Sequence, residues 1–301
     1  MLRAMRVTAL FLGYGLVGFG GDYAAGMLVD HPHARRNVDV SVDVDIPDFD
    51  LRIEPMQSGD CAFQAERRVS VEASASDLLR LSAGSGELRV EGRAGLDRVQ
   101  AVGRVCASEE SYLDDLRITL ERRGGEVTLA THYPDQGRLG SWHGNDYARI
   151  DLTVEVPLDM AVDLEDSSGS MEVSGTGELR IDDSSGEIDV HDVNGAVRID
   201  DSSGGIDVRG VSGDVEVDDG SGGIDLSDIG GSVRLRDGSG SISAVAVQGN
   251  VVVDDDGSGS ISVRDVRGGF QVRSDGSGGI RYSGVDGTVD IPRDKRRHGG
   301  G

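Results

Sequence analysis

From residue 161 onward, apolar and polar positions alternate in short runs. Ile188, Val190 and Val193, then Val197 and Ile199, are separated by polar residues or glycine. A period of two puts successive side chains on opposite faces of a strand, and β-branched side chains suit that half-buried surface. The runs are punctuated by Asp-x-Ser-Gly, opening at Asp166, Asp183, Asp201, Asp219, Asp237, Asp256 and Asp275. The closing glycines step by 17, 18, 18, 18, 19 and 19 residues. A second glycine falls about halfway along each unit, at Gly177, Gly195, Gly213, Gly231, Gly249, Gly268 and Gly287. Two strands and two corners, repeated at a constant period, describe an array.

The same inward positions recur down this array. Met171, Ile188, Ile206, Ile224, Ile242, Ile261 and Ile280 form one column, and Leu179, Val197, Val215, Val233, Val251, Phe270 and Val289 another. Equal residues at equal phase are satisfied by coils stacked in parallel register about 4.8 Å apart. The predicted fold is therefore all-β: a parallel β-solenoid (β-helix) of about 18-residue coils over 161–292. A run of antiparallel hairpins is the alternative.

Before the array, 79–81, 87–91, 99–102, 116–120, 127–130 and 150–156 have strand character, with a hairpin through Gly124 and Gly125 and a helical turn within 108–115. Ala83-Gly84-Ser85-Gly86 followed by Glu87-Leu88-Arg89-Val90 is an imperfect early copy of the repeat. The array thus begins there and is interrupted. Residues 57–160 form a β-rich N-terminal region with an insertion, and the insertion is expected to cap an end that would otherwise expose unpaired strand edges. Residues 293–301 form a charged, glycine-ended tail.

Composition narrows the partners. The 301 residues carry a formal charge of −24 and include 46 glycines, with aromatics at 4%. Such a surface repels phosphate backbones, so nucleic acid is not an expected partner, whereas cations and basic protein patches are. Residues 1–26 read as a secretory signal: Arg3 and Arg6 precede an apolar run, and Ala24-Ala25-Gly26 offers a small-residue cleavage site. No membrane span is expected in the mature chain, and the expected location is periplasm, cell envelope or outside the cell. Gly13-x-Gly15-x-x-Gly18 also matches a dinucleotide fingerprint, but no further β-α-β units follow to build the sheet it requires. Residues 27–56 read as a linker or an added edge strand. Cys61 and Cys106 are the two cysteines, 45 residues apart and in no metal-ligand spacing. In an exported protein they are disulfide candidates; in a reducing compartment they would be buried thiols.

Cys61-Ala62-Phe63-Gln64-Ala65-Glu66-Arg67-Arg68, the early Ser85-Gly86-Glu87-Leu88-Arg89-Val90, Val154-Glu155-Val156-Pro157 and the recurrent Asp-Gly-Ser-Gly-x-Ile-x-Val resemble the bacterial putative-adhesin family of β-strand-repeat proteins. The resemblance covers roughly residues 61–292 and implies a β-helical fold and a cell-envelope location. It brings no catalytic residue with it, and residues 27–56 match nothing in the family.

Three features could carry chemistry. The aspartate column is the first. Its carboxylates can accept backbone N–H bonds at each turn, or Asp183, Asp201 and Asp219 could bind Ca²⁺, which takes six to eight oxygens; the halves of the repeat do not reproduce the calcium-binding nonapeptide. The second is an outward acidic row, Glu172, Asp189, Asp207 and Asp225, which gives way to Ser243, Ser262 and Arg281. Val245 and Val252 also face outward, as a possible contact patch. The third is the loop 133–147, where Tyr133, Trp142, His143 and Tyr147 either bind a partner or plug the solenoid end. His132, His143 and Asp135 have no specific metal spacing. A carbohydrate-active enzyme would need two singled-out carboxylates across a groove, and here the carboxylates recur in every coil. The expectation is a non-enzymatic adhesin or envelope-interaction module that binds a protein or glycan and needs no cofactor; a Ca²⁺-stabilised structural repeat protein is the alternative.

Overall fold

The computed structural model describes residues 36–37, 61–134 and 146–292. Residues 1–26, where a secretory signal is expected, most of 27–56, the middle of the aromatic loop with Trp142 and His143, and residues 293–301 lie outside the described residues.

Each array coil lays one strand in each of two facing sheets. Leu179–Asp183, Val197–Asp201, Val215–Asp219 and Val233–Asp237 stack in one sheet; Gly186–Val193, Gly204–Val211, Ile224–Ile229 and Ile242–Val247 stack in the other. Every pairing within the array is parallel, and register is kept through the early coils, with Leu179 opposite Val197, then Val215, then Val233, and Ile188 opposite Ile206, then Ile224. The hairpin alternative is not what the chain adopts. The apolar columns meet between the sheets as one continuous core, with Ile188, Val190, Val208 and Ile224 fully enclosed. Because the outer faces meet solvent, strands alternate buried and exposed positions, as in Leu179–Asp183. Fully covered parallel strands would not.

The corners explain the glycines. Gly204 has φ +152°, and a Cβ there would fall 1.6 Å from the carbonyl oxygen of Gly186 in the coil beneath. No other residue fits that combination of backbone shape and close stacking. The longer coils have a local origin: pairing shifts register between Leu235 and Arg236, so that Arg236 faces Asp255 and Asp254 is extra. The Asp254 carboxylate lies 2.7 Å from both Arg234 and Arg273, which pins the bulge.

The early copy does not lie at the end of the solenoid. Leu78–Ser82 sits between Ala161–Asp166 and Glu126–His132, and Leu88–Arg93 between Met171–Ser174 and Ala148–Pro157, all in parallel. The insertion therefore doubles back and lays a coil outboard of the one that precedes it in sequence. Antiparallel strands then close that end. Phe63–Glu72 pairs with Arg98–Ala107, which pairs with Ala148–Pro157, and Arg117–Arg123 forms the hairpin with Glu126–His132. Phe63–Glu72 is a strand that the alternation of residues did not single out. The helical turn is a single 3₁₀ turn, Glu110–Tyr112. Cys61 and Cys106 form a disulfide with Cα atoms 5.6 Å apart, joining the chain just before Phe63–Glu72 to the strand beside it. Among the described residues no helix is long and apolar enough to cross a membrane.

Candidate functional site

At the first corner of four successive coils the sequence doubles its acids: Glu165-Asp166, Asp182-Asp183, Asp200-Asp201 and Asp218-Asp219. Strand alternation splits each pair, turning the first outward and the second inward. The inward members pair in register from Asp166 through Asp183, Asp201, Asp219 and Asp237 to Asp256. Asp183, Asp201, Asp219 and Asp237 are each 3% exposed. The Ser203, Ser221 and Ser239 amides donate to Oδ1 of Asp201, Asp219 and Asp237 at 3.1, 3.1 and 3.0 Å. The Oδ2 atoms of these three have no hydrogen-bond partner; Asp166 and Asp183 make no well-formed hydrogen bond, but the Ser167 backbone N–H faces Asp166 and those of Ser185 and Ser184 face Asp183.

Burial without full compensation favours the protonated form. Loss of hydration is the largest cause throughout. It pushes Asp201 up to about 6 against the opposing Ser203 amide, with Asp219 and Asp183 adding to the rise. Asp237 also rises to about 6, helped by Asp219. Asp166 reaches about 7 through burial and the neighbouring Asp183, and Asp183 and Asp219 move the same way. The Ca²⁺ candidates Asp183, Asp201 and Asp219 thus occupy one column in successive coils. Among the described residues no three acidic, histidine or cysteine side chains are grouped to hold a metal ion.

The outer faces carry two acidic rows rather than one. On one sheet, Glu172, Asp189, Asp207 and Asp225 align in register. That row is partly neutralised: Arg89 reaches Glu172 at 2.7 Å, and Arg209 reaches Asp189 at 3.2 Å and Asp207 at 3.4 Å. On the other sheet, Glu165, Asp182, Asp200 and Asp218 align in register. Asp218 meets Arg236 at 3.3 Å, and among the described residues no cation lies within ion-pair distance of Glu165, Asp182 or Asp200. The sequence signal for this second row is the first acid of each doublet. It is eclipsed by the more regular Asp-x-Ser-Gly that follows.

Tyr133 and Tyr147 serve as struts. The Tyr133 hydroxyl donates to the Ser85 carbonyl at 2.8 Å while its ring lies over Gly84, and burial pushes that hydroxyl up to about 12. The Tyr147 hydroxyl accepts from the Ala62 amide at 2.8 Å, and its backbone N–H donates to the Ser108 hydroxyl at 3.1 Å. His132 is exposed and lies 2.9 Å from the Thr119 hydroxyl. Trp142, His143 and Asp135 fall outside the described residues. Val245 and Val252 are half-buried on opposite sheets.

No protein-family model matches the chain, and no curated protein matches it. Solved structures are similar to it over most of its length. A putative adhesin from Bacteroides fragilis NCTC 9343 is 12% identical, with 80% of this chain and 100% of that one covered and a TM-score of 0.44. A putative cell adhesion protein from Clostridium sporogenes ATCC 15579 is 15% identical, with 76% and 98% covered and a TM-score of 0.30. A putative adhesin from Parabacteroides merdae ATCC 43184 is 9% identical, with 76% and 96% covered and a TM-score of 0.27. None of these similarities assigns a role to a residue.

Proposed function

We propose that this chain is an exported, non-enzymatic interaction module of the cell envelope that binds a protein or glycan through its solenoid surface. The observation that carries the reading is the row Glu165, Asp182, Asp200 and Asp218. Like charges one strand spacing apart repel, by about 1 kcal/mol per neighbouring pair in water. Among the described residues no cation lies within ion-pair distance of Glu165, Asp182 or Asp200, and only Glu165 is aided at longer range, by Arg80. A surface that retains such repulsion is suited to a partner that supplies the opposite charge. The Cys61–Cys106 disulfide supports an oxidising location. Repetition argues against catalysis, since carboxylates recur in every coil and no two are singled out across a groove as acid and nucleophile.

Capture of partners from an envelope or host-surface extract tests this. Replacing Asp182 and Asp200 by Asn, or Trp142 by Ala, is expected to weaken capture while leaving the circular-dichroism spectrum unchanged. Undiminished capture by a chain carrying all three changes would remove the proposal.

A further inference from the structure

The two ends of the solenoid are finished differently. Antiparallel strands close the first end, whereas no described strand lies beyond the last coil, Ile280–Val285 with Val289–Asp290. Val289–Asp290 is two residues long and Pro292 follows it, which blunts that edge. Ile280–Val285 has six residues, no proline, and a partner on one side alone among the described residues. Its backbone is aimed outward. The amides of Ile206, Ile224, Ile242 and Ile261 donate to carbonyls of the following coil at 2.8, 2.9, 2.9 and 3.1 Å. Ile280 continues that column with no coil to follow, and strand alternation turns the Tyr282 amide the same way. The core is unfinished there too. Val208, Leu226, Ala244 and Val263 are enclosed, but Tyr282, next in their column, is half-buried, its ring 6.0 Å from that of Phe270.

Charge decides what can complete this edge. On the outer face of the sheet the acidic row stops at Asp225, and the following coils carry Ser243, Ser262 and Arg281. Arg281 and Arg264, one coil earlier, are exposed, and among the described residues neither has an ion pair or a hydrogen bond. Asp225 lies three strand spacings from Arg281, about 14 Å, beyond the screening length of about 8 Å at physiological ionic strength. Of the acids at the second corner, Asp286 is held by Arg267 at 3.1 Å, and Asp265 stacks against Gly284. The outer face at this end is thus locally basic on a chain of net charge −24. A second copy paired edge to edge would bring Arg281 near its own counterpart, and like charges across strands repel. The residues that follow the coil, with Arg293, Lys295, Arg296 and Arg297 against Asp294, would add further positive charge. Neither suits the edge. An extended segment with acidic outward and apolar inward positions does, because it meets Arg281, covers Tyr282 and pairs the open backbone together.

We propose that the free edge of Ile280–Val285 takes an extended acidic segment of a partner protein as one further strand, with the Ile280 and Tyr282 backbone holding it and Arg281 selecting the acid. That an envelope protein supplies the segment rests on the adhesion reading; the edge does not.

The test is titration of the full chain at physiological salt with the peptide acetyl-Thr-Val-Asp-Val-Asp-Val-Thr-amide, read by calorimetry and by residue-resolved hydrogen exchange. The peptide is expected to bind and to slow exchange at the Ile280 and Tyr282 amides. N-methylation of its alternate amides keeps the charge, removes the backbone donors and should abolish binding. Lysine in place of both aspartates should weaken binding about fivefold or more, and so should Arg281→Glu against the original peptide. Arg281 is exposed, so that variant should keep the exchange pattern of the array. Arg117→Glu makes the same charge change on the exposed edge strand Arg117–Arg123 at the capped end, and should leave affinity within about twofold. The proposal is overturned if the Ile280 and Tyr282 amides are already protected in the free chain, since its own tail or a second copy would then fill the edge. It is also overturned if the N-methylated peptide binds as well as its parent, or if Arg117→Glu weakens binding as much as Arg281→Glu. Peptide binding without any captured envelope partner would remove the adhesion reading and leave the edge; partner capture without peptide binding would do the reverse.

Discussion

At the second corner of each array coil one residue adopts a left-handed backbone, and the column of such residues runs Gly175, Asp192, Gly210, Asp228, Ala246, Asp265, Gly284. Glycine has no steric cost there, and aspartate tolerates the conformation better than most residues. Ala246, at φ 59°, has neither advantage. A left-handed alanine costs roughly 1–2 kcal/mol, partly offset by the greater unfolded-state freedom of glycine. Ala246→Gly should therefore stabilise the protein by about 0.5–1 kcal/mol, measured as an increase in the urea midpoint with an unchanged slope. A lower midpoint would mean that the Ala246 methyl makes a contact worth more than the strain. The residues around this position advertise nothing unusual. Ala246 lies in an apolar run, Ile242–Val247, that scans as ordinary strand, and its backbone shape follows from stacking between Asp228 and Asp265.

At the scale of the element, the corner strands convert a local turn preference into a titrating column. Asp201 alone would be a turn aspartate that accepts the Ser203 amide. Stacked between Asp183 and Asp219 and cut off from water, it holds a proton to about 6. The sign of the linkage follows from the folded-state values lying above the unfolded ones. Native carboxyls bind protons that the unfolded chain has released, so this contribution to stability falls as pH rises from about 4, the ordinary aspartate value, toward 6–7. Chemical denaturation should give higher stability at pH 5 than at pH 8, by an amount on the order of a few kcal/mol over the column. Asp201→Asn retains an acceptor for Ser203 and should flatten the slope. Stability that rises over this interval, or a slope that the variant leaves unchanged, would show that the column is ionised and compensated at neutral pH. The aspartates themselves, their spacing and their turn role are plain in the chain. Their proton affinity is not, because it depends on which carboxylate lies in the next coil and on how much water the corner admits.

For the molecule as a whole, the end cap decides stability differently from the array. Array coils contact only their neighbours, so each shares the same core and the same corner. The capping region instead joins strands distant in sequence, such as Phe63–Glu72 with Arg98–Ala107 and Arg98–Ala107 with Ala148–Pro157. Closing such loops is entropically costly, and the Cys61–Cys106 bond removes part of that cost from the unfolded chain. Replacing both cysteines by serine should lower stability by roughly 2–4 kcal/mol. Hydrogen exchange should then quicken first in Phe63–Glu72 and only later in the array coils. Uniform acceleration across the array would mean that cap and array unfold as one unit.

What the chain determined alone was the coil. A period of about 18, alternation of two, β-branched columns and a glycine at each tight corner leave parallel stacking as the arrangement that buries every column at once. Those signals are local and repeated, so they survive without any tertiary information. What only the tertiary structure decided was neighbourhood where repetition stops. The insertion folds back so that the early copy, Leu78–Ser82 with Leu88–Arg93, is flanked on both sides by later strands. This places Ala83 against Asp166 and opens a pocket at the end of the column. No periodicity carries that information. It arises from non-local pairing, and the burial and charge of a group depend on the residues that such pairing brings beside it.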